Sequence, residues 1–184
     1  MLTKDMTKTE IEKEISAKGD YVKIDLLDRL LKDKQLPSDR RKFVYEKLGE
    51  VYEKRGMLVE AAKMHNNIAI ASTPYSEKIV HHLKEAELYI KVGIFDFADG
   101  AVKKAVSESN NTKESENILQ SVKDFYKRQA LVYEKERRRA QAIKIYEKLL
   151  QMGITPTERQ EIKDKLTGLY EQTGRIKEYF ALKK

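Results

Sequence analysis

Three histidines, a series of tyrosines and a run of arginines are the side chains of this sequence best suited to chemistry. His65, His81 and His82 invite a metal site, which needs three or four imidazole, thiolate or carboxylate ligands converging on one ion. Adjacent positions on a helix point about 100° apart, so His81 and His82 cannot both face it. There is no cysteine and no His-Glu-x-x-His spacing. The expectation is no metal, with His65 and His82 packed between helices.

Arg137, Arg138 and Arg139 stand together, with Lys135 before them and Lys144 after. Guanidinium groups hold phosphates and carboxylates through paired hydrogen bonds, so this cluster is a candidate basic patch for RNA or for an acidic peptide. Between Ser121 and Leu150 nine Lys or Arg residues oppose four acids, within a chain of formal charge +7 and pI about 9.3. Glu134 and Glu136 beside the cluster weaken its pull and offer it structural partners. Aromatic rings among basic residues also serve single-stranded nucleic acid as stacking platforms. Tyrosines that recur once per repeat, as Tyr52, Tyr89, Tyr133 and Tyr170 do, instead fill the spaces between helices. The chain has no Gly-rich phosphate loop, no Gly-x-Ser-x-Gly turn and no nucleophile that its sequence pairs with a base, so the reading is a non-enzymatic chain without cofactor.

The elements that must position these residues are helices. Hydrophobic residues make up 40% and charged residues 36% of the chain, a balance suited to amphipathic helices with ion-paired outer faces. Thr155-Pro156-Thr157-Glu158 is a capping box with proline at the first helical position. Pro37-Ser38, Thr73-Pro74 and Asn110-Asn111-Thr112 break or cap the chain between earlier segments. The predicted helices are 7–18, 20–34, 38–55, 57–71, 76–92, 94–107, 112–135, 137–152, 156–173 and 175–183. No apolar leader segment opens the chain, and no stretch approaches the roughly 18 apolar residues of a membrane span. With zero cysteines, the expectation is a soluble cytoplasmic protein with no membrane contact.

A repeat organises the helices. Gly19, Gly56 and Gly93 fall 37 residues apart, and Arg137 precedes Gly174 by the same 37, so Arg137 takes the turn position of the fourth unit. Gly93 to Arg137 is 44, an insertion of about two helical turns that leaves apolar faces nearly in phase. Four positions before each turn stand Ile15, Tyr52, Tyr89, Tyr133 and Tyr170; five after stand Ile24, Ala61, Ala98, Ala142 and Tyr179. The units run approximately 5–37, 38–74, 75–111, 112–155 and 156–184, in a single domain over 1–184.

With Tyr45, Leu48-Gly49, Tyr52, Gly56 and Ala61 in one unit, the chain resembles the tetratricopeptide-repeat family in divergent form. Glu85-Ala86, Tyr89, Gly93, Ala98 and Ala105 carry the resemblance in the next, and Tyr126, Ala130, Tyr133, Ala142, Tyr146 and Leu149 in the fourth. The repeat is longer than the family's, at 37 against about 34 residues. The resemblance implies an all-α fold, a right-handed superhelical solenoid of about five antiparallel helix pairs. It further implies a protein-protein interaction scaffold whose first helices line a concave groove for a peptide or partner protein.

Transferring the groove positions gives Phe43, Glu50 and Lys54 in the second unit, Val80, Leu83, Glu87, Ile90 and Lys91 in the third, and Lys127 and Leu131 in the fourth. Val80, Leu83 and Ile90 are apolar where water would favour polar residues, so the third unit is the expected anchor pocket. The rival reading is an RNA- or ribosome-associated adaptor using Lys135, Arg137, Arg138, Arg139 and Lys144. The last helix carries Tyr179, Phe180 and Leu182, whereas a terminal unit should present a polar face. It is expected either to continue into further chain or to pair with another molecule, as in a homodimer.

Overall fold

The computed structural model describes residues 2–183. Among them are ten helices and no strand: α1 (Lys8–Ser16), α2 (Asp20–Leu31), α3 (Ser38–Lys54), α4 (Leu58–Ala71), α5 (Tyr75–Val92), α6 (Phe95–Ser107), α7 (Thr112–Lys135), α8 (Arg139–Leu150), α9 (Pro156–Thr173) and α10 (Ile176–Lys183). Lys184, the end of the expected last unit, lies outside the described residues, as does Met1. No helix among the described residues is long and apolar enough to cross a membrane.

Local chemistry accounts for the boundaries. Thr155 caps α9 by accepting from the Glu158 N–H while Glu158 accepts from the Thr155 N–H, and Thr7 and Glu10 do the same for α1. Each arrangement satisfies amide groups that the first helical turn leaves without partners. Asn111 starts α7, its side-chain oxygen accepting from the Glu114 N–H at 2.9 Å.

The turns inside the pairs share one geometry. Gly56, Gly93, Arg137 and Gly174 have φ of 71°, 80°, 59° and 68°. In each case the amide after the turn bonds back to the carbonyl of the tyrosine four positions before it: Met57 to Tyr52, Ile94 to Tyr89, Arg138 to Tyr133 and Arg175 to Tyr170, at 2.8 to 3.0 Å. This is the left-handed C-terminal motif that reverses a chain within one residue, and Arg137 adopts it without being glycine. Gly19 departs from the pattern. Its φ of −67° and ψ of 154° make it the residue before α2, so the first pair turns by a different route.

The chain divides into two compact units, Met1–Ile118 and Leu119–Lys184, with the boundary inside α7. In the first, α3 packs on α4, α4 on α5 and α5 on α6. Ala61 and Ala98, five residues past their turns, are fully buried and let the second helix of each pair approach the first. In the second, Ala142 is equally buried, α8 packs on α9 and α9 on α10. Tyr52, Tyr89, Tyr126, Tyr133, Tyr146 and Tyr170 all lie in the core. At the terminal repeat positions Ile24 and Tyr179 are only partly buried.

One polar group sits deep in the first unit. Glu85 on α5 is 4% exposed, takes a hydrogen-bonded contact with His82 Nδ1 at 3.0 Å and receives Lys104 Nζ of α6 at 3.0 Å. Lys104 also donates to Asn66 Oδ1 of α4 at 2.7 Å. The network ties three successive helices together.

Candidate partner-binding groove

Unit 2 contains a cavity of about 290 Å³ between α7 and α9. Leu131 and Ile162 form its apolar walls and Tyr146 of α8 its floor, with Lys127, Lys165, Glu158 and Glu161 around the edge. Leu131 is 53% exposed although it lies on a helix with a well-formed apolar side. Lys127 pairs with Glu158, a hydrogen bond that together with the Thr155 amide holds the Glu158 carboxyl down to about 2. Tyr146 donates to Glu134 at 2.7 Å, and burial followed by that bond pushes its hydroxyl well above the usual phenol range. Lys165 Nζ lies 3.1 Å from the Tyr146 oxygen and 3.3 Å from Glu134. Lys127, Glu158, Lys165 and the Tyr146 hydroxyl are therefore held by the protein's own hydrogen bonds, while Leu131 faces solvent beside the buried Ile162 and Tyr146.

A second cavity of about 300 Å³ lies farther toward the α7–α8 turn, lined by Glu134, Arg137, Arg139, Asp164, Lys165, Gly168, Leu169 and Gln172. Lys165 lines both. The arginine run is split by its surroundings. Arg138 stacks over the Tyr133 ring at 4.4 Å and pairs with Glu136 at 3.2 Å, whereas Arg137 and Arg139 line the cavity. Lys135 and Lys144 are exposed.

The groove residues expected in unit 1 are distributed differently. Phe43 is half-buried and lines a third cavity, of about 360 Å³, together with Lys42, Glu46 and Glu77. Glu50 and Lys54 are exposed but engaged, Glu50 with Lys47 at 3.4 Å and Lys54 with Asp20 at 3.0 Å. Glu87 bridges Lys84 and Lys91. Val80 is 61% exposed. Leu83 packs against the buried cluster of Ile79, Ala105 and Ile118, and Ile90 is only 1% exposed. Ile90 is thus a core residue rather than a ligand-facing one. Because α5 is packed by α4 on one side and α6 on the other, its buried stripe is wider than the repeat register implies.

Ile162, Tyr146, Lys165 and Gln172 were not among the expected site residues. The register that places Lys127 and Leu131, carried one unit further, points to Glu161, Asp164, Gly168, Glu171 and Gln172, of which all but Glu171 line one of the two cavities.

The histidines make a different arrangement from the one expected of core packing alone. His65 of α4 stacks on His81 of α5 with centroids 5.3 Å apart, and their Nδ1 atoms are 3.0 Å apart. His65 Nε2 reaches Glu53 of α3 at 3.1 Å, and Glu53 also pairs with Lys84. No group of three or more metal-binding side chains converges among the described residues. Burial lowers the basicity of both rings; at His81 repulsion from His65 adds to it, and at His65 the Glu53 carboxylate opposes it. The remaining charges facing the pair are Glu77 and His82 on α5, Lys42 on α3 and Glu85 on α5.

A folded-state value below the ordinary 6.5 means that the unfolded chain takes up protons first. Stability conferred by the neutral pair is then present above pH 6.5 and lost as pH falls through the folded values. Glu53 and Glu77 are held below their ordinary 4.5 by Lys84 and Lys42, so their contribution disappears only at lower pH. Thermal midpoints measured from pH 7 to pH 5 should fall, and His65→Gln with His81→Gln should flatten that slope; an equal slope in the variant removes the assignment.

Residues 126–160, from the second half of α7 through the start of α9, match the family model described as a tetratricopeptide repeat. No curated protein matches the chain. The match takes in the left-handed turn at Arg137, the buried Tyr133 and Ala142, and the exposed Leu131. With the same turn built three more times by glycine and no strand among the described residues, the chain is an all-helical repeat protein that is similar over residues 126–160 to the tetratricopeptide repeats, which generally mediate protein-protein interaction.

Proposed function

We propose that this chain is a non-enzymatic scaffold that holds an extended peptide or partner segment along α7 and α9, with one apolar side chain in the cavity beside Leu131. The observation that carries the reading is that cavity: apolar at its centre, polar at its edge, and at the small end of ligand pockets, which suits a single side chain better than a cofactor. Phe43, which lines a cavity, and the exposed Val80 support a similar role for unit 1. The absence of cysteine favours a reducing compartment such as the cytoplasm. The exposed Ile176 and Phe180 of α10 favour a second copy of the chain as partner at that end; light scattering tests it by returning the mass of two chains rather than one.

Affinity capture from native lysate with the full chain as bait tests the groove. Leu131→Glu should leave stability within about 0.5 kcal/mol, since the side chain is largely in water already, and should remove the captured protein. Val80→Glu is the corresponding change in unit 1; Leu83 is unsuitable because its replacement would disturb the Ile79 cluster. Partners retained by both variants sink the groove assignment. Nuclease treatment of the lysate separates the RNA-adaptor reading, which requires captured material to vanish with RNA and binding to fall steeply with salt.

A further inference from the structure

We infer that the cavity beside the α7–α8 turn is a carboxylate-binding subsite, which takes an acidic side chain of the same peptide whose apolar residue occupies the neighbouring cavity. The inference rests on the groove reading. Three cationic side chains line the cavity: Arg137, Arg139 and Lys165. Its two acids are already engaged. Glu134 accepts from Tyr146 and Lys165, and Asp164 accepts from Gln160 at 2.9 Å. Among the described residues the Arg137 guanidinium has no partner, and Arg139 commits only its Nε, which donates to Gln172 Oε1 at 2.8 Å. That bond orients the Arg139 guanidinium and leaves its two terminal nitrogens, so two forked donors remain at one concave site.

A carboxylate fits this site better than a nucleic-acid backbone does. Glu134 and Asp164 flank the arginines and would repel a continuous row of phosphates, whereas one carboxylate can reach the guanidinium groups between them. Lys165 borders both cavities, so an apolar side chain beside Leu131 and an acid beside Arg137 would belong to nearby residues of one ligand. The excess of nine basic over four acidic residues between Ser121 and Leu150 attracts a ligand of that sign.

The probe is a displayed library of random dodecapeptides, selected on the immobilised full chain. The expected winners join an apolar residue to Asp or Glu at a constant offset. Changing that acid to its amide should weaken binding about tenfold for the natural chain and less than about twofold for the variant Arg137→Gly with Arg139→Gln. Arg137→Gly places glycine where the other three turns already have it, so the variant's thermal midpoint should equal or exceed the parent's. Winners without an acidic preference, or an amide change that weakens both proteins equally, overturn the subsite while leaving the groove in place. Failure to select any peptide, or winners that bind Leu131→Glu undiminished, overturns the groove reading and the subsite with it. Tighter binding of poly-uridylate RNA than of the best peptide, lost in the same arginine variant, also overturns it.

Discussion

Replacing Glu85 with alanine is expected to lower the unfolding free energy by about 3 kcal/mol, the loss typical of a buried polar group stripped of a charged partner. Glu85 is 4% exposed and joins His82 of its own helix to Lys104 of α6. Without it, Lys104 keeps Asn66 and turns toward water, since its side chain is 45% exposed. His82, 5% exposed, has no such escape, and its ring nitrogen is left unsatisfied in the core. Glu85→Gln keeps a hydrogen-bonding group beside His82 and should lose only about 1 kcal/mol. Combining Glu85→Leu with His82→Phe removes both polar partners and should recover much of the loss. Urea unfolding followed by circular dichroism reads all three; a loss under about 1 kcal/mol for Glu85→Ala would show that the network adds little net stability.

Tyr133→Ala should be at least as damaging, at about 4 kcal/mol, because a large ring leaves a cavity that rigid helices cannot close. Tyr133 is 1% exposed and carries the Arg138 guanidinium over its face. Its carbonyl still accepts from the Arg138 amide in the variant, so the turn survives and the loss is one of packing. Leu131 lies two residues earlier on the same helix and is 53% exposed, and its replacement by Glu should barely change stability. Denaturant midpoints of the two variants therefore distinguish the packing face of α7 from its proposed ligand-binding face. Equal destabilisation by both would mean that Leu131 belongs to the core and would remove the principal support for the groove.

Residue types and spacing alone supplied the ten helices, their approximate ends and the recurring turn position. These features depend on interactions within a few residues: the capping pair Thr155 and Glu158, the tyrosine carbonyl four positions before each turn, and the left-handed residue that follows. Even Arg137 could be placed at a turn, because its neighbours repeat those of Gly56, Gly93 and Gly174. Gly19 shares their spacing but not their backbone conformation, since the residues around it form a helix start instead.

The candidate site was legible only in part. Repeat register singled out Lys127 and Leu131, but could not show that Ile90 is enclosed by α4 and α6 or that Leu83 is bound into a cluster. Nor could it separate Arg138, drawn onto Tyr133 and Glu136, from Arg137 and Arg139 in the cavity, or bring His65 and His81 within 3.0 Å across two helices. Sequence by itself determined where the helices start, stop and reverse, because those choices are made by backbone and cap chemistry over four to six residues. Tertiary structure decided which side chains remain free for a partner, because exposure and hydrogen bonding depend on the helices packed alongside, whose neighbours lie tens of residues away in the chain.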